Sequence, residues 1–441
     1  MKRVFMLSAL LGAIVLAGCG GNGDTTSQSD FNNGSGDQPF KPTTHLSHRS
    51  LVTNFYSGHL QVVDATQNRL TNYTFATGTG PTYMQSSPDG TLTFVNNSES
   101  NSISSFNNNL EAVKATISLG GWTESFVTSV SNKFGFAAVY NYVNGNPPLR
   151  TGAIVRFNPT DGSLNTQIPF PNVRYLAMDP AEEHLLAFAD GDNTAYWVDL
   201  TTNDPTTQVP LITAISALPA GTLSRPVATF FSSDSTKAYV LSCGVECGGA
   251  STVIGTTTFP AAVTQIDIAT ATVSGITTTT FTVGNQWGVS GAQDGFIDLT
   301  ANKLYVAGST GSTSVDSGGN TVQDGYFTTI DLTTGTVSAP IRIGNGGLRL
   351  IRNINGAFWV GARNCGVQSC ITLVNATAGT TTMLPTAKGD ATGISLTANS
   401  GDIYTIEGGE LNLYDKKTNP IPPSVNATDI KGQAFDVLYI D

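Results

Sequence analysis

The sequence predicts an all-β fold: a β-propeller of four-stranded antiparallel blades, its ring closed by the C-terminal strand. Three observations carry this expectation. Only 12% of the 441 residues are charged, and Gly, Thr, Ser and Asn take up much of the remainder. That composition favours many short strands joined by many turns. Short alternating apolar runs end in Asp or Asn at eight places: Asp64, Asn107, Asn158, Asp199, Asp267, Asp331, Asn375 and Asp415. They are 40 to 68 residues apart, and the shorter spacings match a four-stranded blade of about 40–50 residues. Finally, residues 433–440 read as an innermost strand with nothing after it, whereas the first copy (51–54, then 60–64) has no such strand before it. The two ends complete one another, which removes the open edges of a sheet.

A chain of this length suggests several domains at about 150 residues each, but a repeat array permits one. Apolar content of 39% and a mean hydropathy of −0.01 supply material for a core. Net charge is −11 and the pI near 4.7. That balance speaks against a nucleic-acid partner, which needs a basic footprint, and against electrostatic docking on anionic lipid.

The elements follow in chain order. Residues 1–18 read as an export signal: Met1-Lys2-Arg3 is basic, and residues 4–16 are apolar but shorter than the roughly 20 residues of a membrane span. Leu16-Ala17-Gly18-Cys19 resembles the bacterial lipobox residue for residue. The resemblance implies lipid attachment at the Cys19 thiol, cleavage before it, and anchorage by several acyl chains. Gly20 in place of Asp is compatible with the outer membrane. Residues 19–45 form a Gly-, Ser-, Asn- and Asp-rich tether, whose ends as a coil lie about 25–30 Å apart. The expected location is the cell envelope, periplasmic or surface-facing.

Residues 46–441 are the propeller. Its clearest blade runs 81–84, a Ser87-Pro88-Asp89-Gly90 turn, 92–96, then 103–107. The Asp or Asn closing each third strand can fold back on the backbone as an Asx-turn. Four residues later Asn68, Gly162, Asn203, Gly335, Gly379 and Asn419 tolerate a left-handed backbone. Eight copies give eight blades; seven is the alternative if the divergent stretch 201–218 is misread. Leu51-Val52-Thr53-Asn54, the Ser-Pro-Asp-Gly turn and the Asp-plus-Thr turns resemble the bacterial YVTN-type propeller repeat. Such repeats occur in surface-layer proteins, lactonase-like enzymes and other exported propellers, so the resemblance implies a fold and not a function.

With alternating strands, the first–second and third–fourth turns share one face and read as short throughout. The insertions at 141–152, 203–224, 242–262, 308–325 and 363–370 fall on the other, where binding residues usually sit. The four cysteines after Cys19 lie in these loops. Two local disulfides are expected in an exported protein, Cys243–Cys247 and Cys365–Cys370. A four-Cys zinc site would need non-adjacent blades to meet.

Signatures of catalysis are not visible: no Gly-x-Ser-x-Gly, His-Glu-x-x-His, P-loop lysine or Cys-x-x-Cys-His. Of the four histidines, His45, His48, His59 and His184, three lie near the start of the domain; surface positions explain them better than a metal site. Asp316 and Asp324 could offer oxygens to Ca²⁺, though a solvated loop is the simpler reading. Asp190-Gly191-Asp192-Asn193 reads as a hairpin turn, and Trp122, Trp197, Trp287 and Trp359 as blade packing. No cofactor is expected. The favoured reading is a membrane-anchored binding or structural module with a protein or glycan partner. The alternatives are a lactonase-like hydrolase at the central tunnel and, second, a quinoprotein-like dehydrogenase.

Overall fold

The structure is a computed structural model. It describes residues 44–441 except 131, 142, 145–148, 151, 204–209, 216–217, 274–275, 345–346, 348–349, 353–355, 385–387, 398–400 and 416–433. The expected signal peptide, Cys19 and the tether up to residue 43 lie outside the described residues, as does Asn419. Among the described residues no helix is long and apolar enough to cross a membrane.

Eight antiparallel sheets follow one another along the chain. Their strands are lettered a to d outward from the middle of the ring. Blade 1 is Ala434–Tyr439, Arg49–Asn54, His59–Asp64 and Arg69–Ala76; blade 2 is Pro81–Ser86, Leu92–Asn97, Ser102–Asn107 and Ala112–Ser118. Blade 3 is Thr123–Thr128, Gly135–Val139, Ala153–Phe157 and Leu164–Pro169; blade 4 is Val173–Met178, His184–Ala189, Ala195–Asn203 and Pro210–Ala214. Blade 5 is Pro226–Phe231, Lys237–Ser242, Ala261–Val273 and Ile276–Val289; blade 6 is Asp294–Asp298, Lys303–Val315, Thr321–Asp331 and Ile341–Ile343. Blade 7 is Leu350–Arg352, Phe358–Gly361, Ile371–Asn375 and Thr380–Met383, and blade 8 shows Ala391–Leu396, Ile403–Glu407 and Glu410–Tyr414 among the described residues.

The core explains why these runs are apolar at successive positions rather than at every second one. A blade buries both faces, one against each neighbour. Leu51 and Val62 pack towards blade 2 with Met84 and Phe106, while the adjacent Val52 and Val63 pack towards blade 8 with Tyr404 and Ile406. Eight apolar clusters result, one for each pair of neighbouring blades, and the eighth joins blade 8 to blade 1. Three of the four tryptophans, Trp197, Trp287 and Trp359, are buried in these clusters.

The C-terminal strand closes the ring. It pairs antiparallel with Arg49–Asn54, aligning Val437 with Val52 and Leu438 with Leu51. Buried Asp436 then ties blade 1 to blade 2, because its Oδ2 accepts the Met84 N–H at 2.7 Å. The same device recurs around the ring: Ser125 Oγ accepts the Leu176 N–H (3.0 Å) and Ser395 Oγ accepts the Tyr439 N–H (2.8 Å). Innermost strands are sheet edges, and a side chain from the preceding blade satisfies these backbone donors.

A buried ion cluster sits outside this seam. Arg49 Nη1 donates to Glu111 Oε1 (2.7 Å) and to the Asn108 carbonyl (2.8 Å), and its Nη2 pairs with Asp441. Thr44 N–H donates to Glu111 Oε2 at 2.6 Å. Glu111 lies four residues after Asn107, where other blades use Gly or Asn, and it holds the same left-handed backbone at φ 51°. The clamp therefore joins blade 1, the blade 2 turn, the chain end and Thr44.

The Asx-turns form as expected at Asp64, Asn107, Asn158, Asp199, Asp331 and Asn375, whose side chains accept N–H groups two or three residues on. Positive φ follows at Asn68, Gly162, Gly335 and Gly379. Four expectations need correction. Asp267 does not end its strand: Ala261–Val273 and Ile276–Val289 stay paired beyond it to Val273↔Ile276. The turns of that face are therefore not short throughout, since this threonine ribbon projects from blade 5. Residues 203–224 are not one loop, for strand c reaches Asn203 and Pro210–Ala214 is strand d. Residues 308–325 are mostly a paired ribbon, with Val315 opposite Thr321.

Candidate functional site

The loop-rich face is a braced surface, built chiefly from the b–c insertions of blades 5, 6 and 7. In blade 5 the chain leaves strand b through the 3-10 turn Gly244–Cys247, and the Cys243–Cys247 disulfide spans it with Cα atoms 5.7 Å apart. A small hairpin follows, Thr252–Ile254 against Thr257–Phe259. In blade 6 the two long strands carry the insertion outward as a ribbon. In blade 7 the Cys365–Cys370 disulfide (Cα–Cα 5.5 Å) closes the loop, both cysteines being buried.

Two carboxylates tie these insertions together. Glu246, inside the first disulfide loop, accepts from Ser309 Oγ (2.9 Å) and Gln293 Nε2 (3.2 Å) of blade 6. Asp316, at the tip of the blade 6 ribbon, accepts the Val367 N–H (2.9 Å) inside the second disulfide loop, as well as those of Gly318 and Asn320. These donors, Val367 first, hold its carboxyl below the usual range. Asp390 continues the chain of contacts by accepting the Asn364 N–H at 2.8 Å. Asp316 thus serves as a brace, and Asp324 is paired with Arg342 (2.9 Å) and Ser314. Among the described residues no three His, Cys, Asp or Glu side chains gather to hold a metal.

Between the blade 5 and blade 6 insertions lies an open cleft of about 660 Å³. Phe259, Pro260 and Tyr326 give it apolar surface, and Ser251, Thr258 and Ser290 give it hydroxyls. Phe259 is seated flat on the chain: a Cβ at Gly288 would lie 2.0 Å from its ring. Gly288 is what lets the ring settle there.

Charge at the inner strands of blades 3 and 4 is matched. Arg174, on strand a of blade 4, pairs with Glu124 (2.8 Å) and Asp190 (3.1 Å). Burial alone would lower the guanidinium's pKa, and the neighbouring carboxylates outweigh it. The Asp190–Asn193 segment is a turn, with Asp192 capping Thr194 and accepting from the Tyr196 hydroxyl at 2.7 Å. The histidines are dispersed: His48 contacts Tyr439 beside the closing strand, His59 contacts the Ser57 carbonyl, and His184 stacks on Trp197 while facing Asp179.

One buried acid needs a separate account. Glu407, at the end of strand b in blade 8, is 1% exposed; its Oε1 accepts from Thr405 Oγ1 (2.7 Å) and Tyr414 OH (2.9 Å). Lys388 Nζ donates to the same tyrosine oxygen at 3.0 Å. Burial raises the Glu407 pKa, and these hydrogen bonds offset it only in part. With the folded value above the unfolded one, about 4.3, the group's stabilising contribution is fully present below the unfolded value. It is lost as pH rises through the folded value. Glu407→Gln is therefore expected to gain in thermal midpoint relative to the parent between pH 4 and pH 8. A constant difference across that window would show that Glu407 does not titrate there.

No protein-family model matches the sequence, and no curated protein does either. Solved structures share the fold. A dihydro-heme d1 dehydrogenase, NirN, in complex with DHE superposes with a TM-score of 0.60 at 13% identity, over 91% of this chain and 77% of that one. A eukaryotic initiation factor does so with a TM-score of 0.51 at 11% identity, over 89% and 98%. The periplasmic gluconolactonase PpgL of Pseudomonas aeruginosa gives a TM-score of 0.46 at 12% identity, over 89% and 99%. At these identities the likeness to the first two is one of fold alone.

Proposed function

We propose that the protein is an extracytoplasmic lipoprotein, anchored through Cys19, that binds a partner of the cell envelope with the loop-rich face of its propeller. The observation that carries this reading is the bracing of that face. Both disulfides and both bridging carboxylates, Glu246 and Asp316, hold surface insertions in fixed positions, and the Cys365–Cys370 pair also packs into the apolar cluster between blades 7 and 8. A fixed surface binds with less ordering cost than a mobile one.

Removing the disulfides distinguishes a loss of the braced face from a loss of the fold. Each disulfide closes a very short loop and so adds about 2 kcal/mol or less to stability. In the full-length Cys243→Ser/Cys247→Ser/Cys365→Ser/Cys370→Ser variant, cooperative unfolding is expected to persist. Retention of envelope material by the immobilised protein is expected to fall about tenfold or more. Undiminished retention by this variant would contradict the role given to the braced face.

A further inference from the structure

We infer that the cleft between the blade 5 and blade 6 insertions takes a neutral oligosaccharide. This rests on the loop-rich face being the binding face, and it names the ligand class for one part of it. The lining has the two components a sugar needs. Phe259 and Tyr326 are half-buried rings in one cleft, surfaces on which the C–H faces of a pyranose can lie. Around them are hydroxyls without a hydrogen-bond partner among the described residues: Ser251, Thr258, Ser290 and the Tyr326 phenol. A hydroxyl both donates and accepts, so this set matches the mixed donors and acceptors of a sugar.

Charge narrows the class. The carboxylate in the cleft, Asp324, has Oδ1 bonded to Arg342 and Ser314, each at 2.9 Å. That pairing cancels its charge locally and fixes its plane, and a planar carboxylate can accept from adjacent sugar hydroxyls. The chain's net charge of −11 opposes polyanions. Peptides dock by strand pairing or, when proline-rich, on aromatic grooves; the hairpin strand in this lining, Thr257–Phe259, is three residues long, and the proline-containing tetrapeptide below tests the second mode. The open form of the cleft lets a polymer run through it.

The test uses the full-length protein in calorimetry against chitotetraose, cellotetraose, maltotetraose and xylotetraose. An anionic tetragalacturonate and an Ala-Pro tetrapeptide serve as comparison probes. At least one neutral tetrasaccharide is expected to bind, with affinity falling about tenfold or more in Phe259→Ala and in Tyr326→Ala. Thr91→Ala, on the opposite face, is expected to leave it unchanged. Gly288→Ala keeps the aromatic ring but displaces it, and is expected to lose affinity like Phe259→Ala. Binding of only the galacturonate or the peptide would overturn the inference, as would sugar binding indifferent to all three cleft substitutions. If no tetrasaccharide binds while envelope material is still retained through the braced face, the ligand class fails and the broader reading survives. Loss of both would sink both.

Discussion

A chain lacking residues 434–441 is expected to have no cooperative unfolding transition and to be recovered as aggregate. The deletion removes the innermost strand of blade 1, and with it Val437 and Ala434, both buried between blades 8 and 1. Tyr439 packs at the same seam and Leu438 at the one between blades 1 and 2. Each fully buried side chain of valine or leucine size contributes about 1.5–3 kcal/mol, and a whole fold is worth only about 5–15 kcal/mol. The deletion also strips Met84 of the Asp436 acceptor and Arg49 of Asp441. Blade 1 would then show an open edge to the ring, a template for pairing with other chains. Sedimentation and circular dichroism read the outcome, and a peptide of residues 434–441 added during refolding is expected to restore part of the fold. A truncated chain that melts at the parent midpoint would mean that the ring does not depend on its closing strand.

Glu111→Ala is expected to cost about 3–5 kcal/mol, the range for breaking a buried ion pair by removing one partner. Arg49 would stay buried with its guanidinium facing a void, retaining only Asp441 and the Asn108 carbonyl. The Thr44 N–H would lose its acceptor as well. The double variant Arg49→Leu/Glu111→Leu is expected to be less damaging than Glu111→Ala alone, because no charge is then left uncompensated. Urea unfolding of the parent, the single and the double variants provides the comparison. Equal losses in the single and double variants would show that the clamp's effect is one of packing and not of charge.

The ring was legible in the sequence because six of the blades repeat a turn with a chemical signature. An Asp or Asn that accepts backbone N–H groups can be found without knowing the fold, and so can the Gly or Asn after it. Where another residue type takes the position, the reading fails for a physical reason. Asp267 occupies the register of a turn, but Ala271 stands where the left-handed residue should be. The following threonines, strong strand formers, carry the pairing on to Val273. Ala271 and the threonine run were the available signal. Glu111 was invisible for the converse reason: it adopts the turn conformation without being Gly or Asn, held by Arg49 and Thr44, which are distant in sequence.

The site was legible only in part. Both disulfides follow from spacing and the expected compartment, and the b–c insertions of blades 5 to 7 point to a face, whereas the blade 5 ribbon on the other face breaks the expected one-sidedness. The cleft does not follow, since Phe259 and Tyr326 belong to different blades and become neighbours only through the way blade 5 abuts blade 6. Nor does the bracing by Glu246 and Asp316, which depends on loop tips meeting.

One face of the closed eight-bladed ring is expected to do the binding. Photo-crosslinking in intact cells tests this most directly, with a crosslinking side chain placed at Ser312 or Val367 on the braced face and at Thr91 or Thr280 on the other. Adducts from the first two positions and none from the last two are the expected result. Adducts confined to Thr91 or Thr280, or equal at all four, would contradict it.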